Sequence, residues 1–239
     1  MSGRSALALA AARAAWPAAC GPGPSDRSSA ILQHYYVLPL YTQVRFGRWG
    51  EILQDTLPPD VDEPYPLAIW HYARGTAYAR TGRLADARVE LTKMEMLAGD
   101  PALERTRIKN VNPAKALVRI ALVTLRADLA AAEHDTDAAV ALLRQATEIE
   151  DTLAYDEPHL WLAPTRQALG AALLDARRPA EAEAVYRQDL RHYPDNPWSL
   201  AGLTEALRRQ GRSDAVRATA QRLAQAARHA DVSITRSRF

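Results

Sequence analysis

The stretch GRLADA, residues 82–87, decides the fold, because close relatives of it recur along the chain. GRWGEI begins at Gly47, RRPAEA at Arg177 and GRSDAV at Gly211. Each stretch follows one helical pattern and precedes another; three of the four begin with glycine, which suits a helix C-terminus, and three carry a named acidic residue near the next N-terminus. The acidic residues are Asp86, Glu181 and Asp214. The recurrence therefore predicts a series of helical hairpins.

The spacing of these turns indicates a repeat of about 34 residues with insertions. A further turn fits at His134, and the five turns then lie 34 to 52 residues apart. The clearest unit runs over residues 163–196, where Pro179 suits the first turn of a second helix and Pro194 ends it. The apolar positions of that second helix are Ala182, Val185, Tyr186 and Leu190. Their helical spacing predicts one buried face.

Over residues 33–230 the chain resembles the tetratricopeptide repeat family. The small, large, alanine, aromatic and proline positions of its motif fall on Gly170, Leu173, Ala182, Tyr186 and Pro194. The unit that starts at Ala68 matches at Gly75, Tyr78 and Ala87. Small residues there let two helices cross closely. The resemblance implies an all-α fold, a right-handed superhelix of helical hairpins with a concave face.

A narrower resemblance rests on four stretches. YDEPHLW (155–161), YRQDL (186–190), PDNPWSL (194–200) and the terminal SRF (237–239) are similar to the C-terminal half of a longer bacterial tetratricopeptide-repeat family. Members of that family carry more helical repeats upstream and have no agreed activity. The resemblance therefore adds an expected bacterial source but no reaction.

We expect three regions and about eleven or twelve helices. Residues 1–29 form an amphipathic helix over 5–16 and a loop, residues 30–230 five helix pairs, and residues 231–239 a tail. The pairs are predicted at 30–46 with 48–56, 65–81 with 83–97, 113–133 with 135–150, 163–177 with 179–192, and 197–210 with 212–229. An insertion covers residues 151–162, and a short extra helix fits within 100–112. The first helix has no partner helix, so its apolar side, with Leu7, Leu9 and Trp16, favours a homodimer or a fold-back onto the first pair.

Composition excludes several classes of function. Lys and Arg number 30 against 28 Asp and Glu, and the two signs are interleaved, which argues against nucleic acid as a partner. The basic residues near the end, such as Arg238, are typical of a solvated tail. No apolar run is long enough to cross a membrane. Cys20, the only cysteine, is typical of a reducing compartment. We therefore expect a cytoplasmic protein, although residues 4–20 also resemble a signal sequence with a lipid-attachment cysteine.

No catalytic, metal or cofactor motif occurs in the sequence. His34, His71 and His159 each lie near the start of a first helix, so a shared site is one hypothesis. A metal ion needs three or four ligands at fixed distances, which stacking alone does not provide. We expect each histidine to hydrogen-bond on its own and predict no catalytic residue, metal or cofactor.

The groove-facing positions of the first helices supply the candidate binding residues. Arg45 and Arg80 occupy equivalent positions in adjacent units and would suit an acidic ligand. The alternative is that both arginines pair with acidic residues on neighbouring helices. The candidates are His34, Tyr41, Arg45, His71, Tyr72, Thr76 and Arg80, with Tyr155, Glu157, His159 and Trp161 from the insertion.

Three functions remain open from the sequence. The first is a non-catalytic interaction protein that binds a peptide or partner protein in its concave groove. The second is a small-ligand binder or enzyme with a site under the insertion, and the third is a homo-oligomeric assembly element.

Overall fold

The computed structural model describes residues 3–20, 29–57, 61–157 and 159–239, with the backbone alone for 16–20. These residues form twelve α-helices and one two-stranded sheet. The helices are α1 (Ser5–Cys20), α2 (Ala30–Arg45), α3 (Trp49–Gln54), α4 (Pro64–Arg80), α5 (Leu84–Ala98), α6 (Ala102–Arg105), α7 (Ala114–Ala132), α8 (Thr136–Asp151), α9 (Thr165–Asp175), α10 (Pro179–His192), α11 (Pro197–Arg209) and α12 (Ser213–Ala226). The predicted all-α fold is confirmed.

The helices pack as five hairpins, as the turns predicted. They are α2–α3, α4–α5, α7–α8, α9–α10 and α11–α12. Successive hairpins stack, and α4 packs against α2 on one side and α7 on the other. This arrangement is a tetratricopeptide-like α-α solenoid. The main shifts in helix ends are at α3, which ends at Gln54 rather than 56, at α9, which is Thr165–Asp175 rather than 163–177, and at α12, which ends at Ala226 rather than 229.

All five hairpin turns close in the same way. In α4–α5 the Gly82 N–H donates to Ala79 O (3.3 Å) and the Arg83 N–H to Tyr78 O (2.9 Å), the hydrogen bonds of a Schellman motif. The residue at the Gly82 position has a positive φ in every turn: Gly47 63°, Gly82 78°, His134 66°, Arg177 58° and Gly211 71°. The predicted alignment thus identified one backbone conformation, which two of the five turns adopt without glycine.

The segment between α5 and α7 holds the one departure from a purely helical chain among the described residues. The expected short helix is present as α6. It is followed by strands β1 (Arg107–Ile108) and β2 (Asn112–Pro113), which pair antiparallel. The strands meet because Lys109 and Asn110 adopt positive φ and turn the chain back on itself, a detail that the all-α prediction did not include.

The N-terminal helix is longer than predicted, and it has a partner. It runs to Cys20 rather than to Trp16 and packs against α2. Leu9 and Ala12 are buried, whereas Leu7 is 58% exposed. Of the two alternatives, the structure shows the fold-back onto the first pair, and the argument for a homodimer loses its structural support. The homodimer stays a prediction. No helix in the described part of the chain combines the length and apolarity needed to cross a membrane.

Asp231, near the C-terminal end, caps the N-terminus of α1. The Asp231 carboxylate accepts hydrogen bonds from the N–H groups of Ser5 (2.6 Å) and Ala6 (2.9 Å). The Asp231 N–H donates to Gly3 O (3.0 Å). An acidic side chain thus satisfies free N–H groups at a helix N-terminus, where the helix dipole favours negative charge.

The close helix crossing predicted at Gly170 is present. The ring of Tyr186, on α10, is fully buried between Gly170 of α9 and Gly202 of α11. A Cβ atom on Gly170 would lie 2.5 Å from Tyr186 Cε1, and one on Gly202 would lie 2.5 Å from the Tyr186 hydroxyl. Glycine at both positions makes room for the aromatic residue that joins two hairpins.

Candidate functional site

The structure brings three of the predicted groove residues together with two further polar residues on one surface. We call the surface that contains Tyr41, Tyr72, Arg80, Asp128 and Gln167 the groove. These side chains project from α2, α4, α7 and α9, and four of the five residues are nearly inaccessible to solvent. They are buried because two later segments of the chain cover the groove.

The insertion, residues 151–162, covers the groove at the first two hairpins. The Trp161 ring is 2% exposed, and its centroid lies 5.3 Å from that of Tyr41 and 5.5 Å from that of Tyr72. Thr76, one turn after Tyr72, is fully buried. Burial raises the pKa of Tyr72 to about 12, and it is the main reason that the pKa of Tyr41 is raised too. These phenols therefore stay neutral at physiological pH.

The insertion is fixed by the β1–β2 loop. Lys109 Nζ lies 2.9 Å from the Asp156 carboxylate and donates to Glu157 O (2.8 Å). The Asn112 side chain makes two hydrogen bonds of 2.9 Å with the backbone of Ala154. The small sheet therefore holds the insertion over the groove.

The three candidate histidines do not meet. His34 Nδ1 lies 2.8 Å from the Tyr65 hydroxyl, and burial lowers the pKa of His34 to about 4. His71 Nδ1 lies 2.5 Å from Glu90 of α5, inside a hairpin rather than in the groove. His159 packs edge-on against Tyr155 and Tyr193. Each histidine has its own neighbours, and no cluster of metal-ligating side chains occurs among the described residues.

Two predicted residues of the insertion lie at its outer surface. Tyr155 is 74% exposed, and its hydroxyl donates to Glu157 (2.6 Å). They contact each other rather than the groove floor. Both still line a cavity of about 570 Å³ under the insertion, together with His159, Trp161 and Arg45.

The tail, residues 231–239, covers a second part of the groove. Ser237 is 2% exposed; its hydroxyl donates to Gln167 O (2.9 Å) and lies 2.6 Å from the Tyr186 hydroxyl. The expectation of a solvated tail is therefore wrong for Ser237 and for Arg238. Both lie across the concave surface of α7 and α9, because buried polar groups there offer them partners.

The charges of the groove centre on Asp128, which is 4% exposed. Its carboxylate lies 2.6 Å from the guanidinium of Arg238 and 3.2 Å from that of Arg80. Burial and then the neighbouring Arg238 lower the pKa of Arg80. Burial also lowers the pKa of Arg238, but the neighbouring Asp128 and Tyr72 have the larger combined effect, so the pKa of Arg238 is raised. The alternative prediction was that both arginines pair with acids on neighbouring helices, and the structure shows this pairing for Arg80.

Arg45 is held by polar and aromatic contacts. Its Nη1 donates to Gln167 Oε1 (2.5 Å), and its guanidinium lies 4.5 Å from the centroid of the Trp198 ring. The Phe239 ring packs edge-on against the same Trp198 at 5.2 Å. The Phe239 Cβ lies within 2.8 Å of where a Cβ on Gly47 would be. The tail thus reaches from the last helix to the first turn.

An open cavity of about 640 Å³ remains beside the tail. Its walls include Ala171, Asp175 and Arg209, and Arg238 forms part of its edge. The groove is therefore partly occupied by the tail and partly accessible.

Sequence reasoning missed the three tail residues that enter the groove. Ser237, Arg238 and Phe239 form a short polar and aromatic stretch without a repeat position. The stretch SRF (237–239) is part of the narrower resemblance, and this is the signal in the sequence that points to it.

Comparison with known proteins agrees with the geometry at the C-terminal end. Residues 173–236 match the tetratricopeptide repeat family. The match covers 64 of the chain's 239 residues. The tetratricopeptide match begins in α9 and runs through the last hairpin into the tail. No curated protein and no solved structure gives a significant match to the chain. The narrower resemblance to a longer bacterial family stays a prediction.

Proposed function

We propose that this protein is a non-catalytic interaction module that binds an extended segment of a partner protein in its groove. The observation that carries the proposal is residues 235–239 of its own chain, which lie across the groove and make side-chain contacts with α7, α9, α10 and α11. Tetratricopeptide repeats generally mediate protein–protein interaction or scaffolding, which supports the same class of function.

The charges of the groove favour a basic segment over the acidic ligand that the sequence suggested. Arg80 is already paired with Asp128, and Arg45 is held by Gln167 and Trp198. The buried acidic group is the one that receives a guanidinium from the tail, at 2.6 Å. Because a buried charge needs a partner of opposite sign, an arginine fits this position better than a carboxylate does.

The proposal is tested by selecting displayed random nine-residue peptides on the purified full chain. Ala171→Trp fills the accessible cavity beside the tail. Ala141→Trp, on the exposed side of α8, is the matched control. We expect the selected peptides to bind the wild type and Ala141→Trp alike and to lose at least about ten-fold in affinity on Ala171→Trp, about 1.4 kcal/mol. Failure to enrich any peptide, or equal binding to all three proteins, would contradict the proposal.

A second candidate function is small-ligand binding in the cavity of about 570 Å³ under the insertion. The cavity combines aromatic walls from Trp161 and Trp198 with the guanidinium of Arg45, a lining that is typical of ligand pockets. A thermal-shift screen of small aromatic carboxylates tests it. Compounds that bind should raise the Tm of the wild type. They should not change the Tm of Leu162→Trp, because the larger side chain narrows this cavity. A Tm shift in both proteins would contradict this candidate.

A further inference from the structure

The proposed function leaves open what kind of segment the groove recognises. We propose, resting on that function, that the groove selects an extended segment in which a small hydroxyl residue, an arginine and an aromatic residue follow one another. We also propose that the tail is its intramolecular competitor. The side chains of Ser237, Arg238 and Phe239 define the three positions.

The hydroxyl position is closed and polar. Ser237 is 2% exposed and lies between Tyr186 and the backbone of Gln167. The Tyr186 ring is itself held between two glycines, which fixes its hydroxyl. A large side chain has no room there, and an alanine would leave the Tyr186 hydroxyl without this partner. The position therefore selects a small residue that both donates and accepts a hydrogen bond.

The arginine position is set by Asp128. Its two oxygens are shared between Arg238 and Arg80, so the carboxylate accepts one guanidinium from the wall and one from the segment. Glutamate in place of Arg238 would bring a second carboxylate next to a nearly inaccessible one. Because two neighbouring carboxylates in a buried site repel each other when both are ionised, the groove disfavours an acidic residue at this position.

The aromatic position is an open edge. Phe239 is 38% exposed, packs on Trp198 and contacts the turn at Gly47. An aromatic ring on this edge gains packing and edge-to-face contact without needing a hydrogen bond. Its exposure makes it the natural point at which a partner segment begins to displace the tail.

The tail can leave without stranding a buried charge. When Arg238 departs, Asp128 keeps Arg80, and Arg238 itself goes to water. Asp231, which caps α1, lies outside the three positions and stays in place. A tethered segment acts at an effective concentration on the order of millimolar. The tail thus excludes weak ligands while yielding to a partner that binds more tightly.

The test measures binding of an amidated, fluorescently labelled peptide with the sequence of residues 233–239, SITRSRF, by fluorescence anisotropy. The proteins are full-length wild type, Arg238→Glu and Arg236→Glu. Arg236 is exposed and forms no ion pair among the described residues, so its variant is the matched control. We expect Arg238→Glu to bind the peptide at least about ten-fold more tightly than the other two, because its own tail no longer competes.

The peptide is varied in the same way. Two variant peptides are compared, with glutamate at the position of Arg238 or at the position of Arg236. On the Arg238→Glu chain, the first should bind at least about ten-fold more weakly than the second. Circular dichroism and Tm check that each chain is folded, and Arg238→Ala repeats the measurement if Arg238→Glu is not.

Three outcomes would overturn the inference. Equal binding to all three chains would show that the tail does not compete, and equal binding of both variant peptides would show that Asp128 does not select arginine. A stable complex between wild type and Arg238→Glu in light scattering would assign the groove to the tail of a second copy. If the displayed peptides bind in the groove but carry no hydroxyl–arginine–aromatic order, the proposed function stands and this inference alone fails.

Discussion

At the scale of single residues, Tyr186 joins the repeat to the groove. Its ring fills the space left by Gly170 and Gly202, and its hydroxyl contacts Ser237 of the tail at 2.6 Å. One aromatic residue of the repeat motif therefore sets both the spacing of two hairpins and one contact of the bound segment.

Gly170→Ala should destabilise the protein, because the new Cβ would overlap the Tyr186 ring. The expected loss in the free energy of unfolding is about 1–3 kcal/mol, measured by urea denaturation. Gly50→Ala is the control, since no atom lies within 4 Å of a Cβ there. An unchanged midpoint for Gly170→Ala would mean that α9 and α10 do not cross closely at this position.

Glu150 makes stability depend on pH. Burial raises its pKa from the ordinary value of 4.5 to about 7, against the hydrogen bonds that it accepts from Thr165. In that window the folded protein binds more protons than the unfolded chain, so the contribution of Glu150 to stability falls as pH rises from 4.5 to about 7.

Glu150→Gln should therefore be more stable than the wild type at pH 8, by about 1–2 kcal/mol after allowance for solvent screening, and close to it at pH 5. His34, whose pKa is lowered to about 4, acts in the opposite sense but is common to both proteins and cancels in the difference. Urea denaturation at the two pH values measures this, with Glu148→Gln, exposed on the same helix, as control. The same difference at pH 5 and pH 8 would refute it.

At the scale of elements, the five turns share one geometry but not one residue. Arg177 and His134 adopt a positive φ although neither is glycine. At Gly82 no neighbour lies within 4 Å of an added Cβ, so a substitution there changes only the cost of the backbone conformation. A left-handed conformation costs an ordinary residue about 1–2 kcal/mol.

Arg177→Gly should raise the free energy of unfolding by up to about 1 kcal/mol, and Gly82→Ala should lower it by a similar amount. Thermal denaturation of the two variants provides the comparison. If both shift the Tm in the same direction, the turns do not share the conformation described.

The turns could be predicted from sequence because their causes are local. Glycine, an acidic residue and helical periodicity lie within a few residues of one another at Gly82 and Gly211. The position of the tail could not be predicted, because the partner of Arg238 is Asp128, which lies 110 residues away in the sequence. From sequence alone, a basic segment outside the helical pattern is expected to be solvent-exposed. His71 was placed in the groove, but Glu90 of α5 attracts it into the hairpin.

At the scale of the whole molecule, the two ends of the chain meet across the solenoid. Asp231 caps α1, and the tail continues from the last hairpin to the first turn at Gly47. A solenoid normally gains stability from neighbouring repeats only. Here the tail links the first and last hairpins and occupies part of the groove, so its release would enlarge the surface on which we propose that a partner binds.

A disulfide trap tests the position of the tail most directly. In a Cys20→Ser chain, Gly47→Cys and Phe239→Cys bring two thiols together, because the Phe239 Cβ lies 2.8 Å from where a Cβ on Gly47 would be. A shift of about 1 Å at the end of the tail gives the Cβ–Cβ separation of about 3.5–4.5 Å that a disulfide needs. Gly82→Cys with Phe239→Cys is the control, as Gly82 has the same backbone conformation and no neighbour within 4 Å of its Cβ position. Mild oxidation followed by non-reducing electrophoresis and thiol titration should give an intramolecular cross-link in the first protein and none in the control. Free thiols in the first protein, or a cross-link only between two molecules, would contradict a tail that lies in the groove of its own chain.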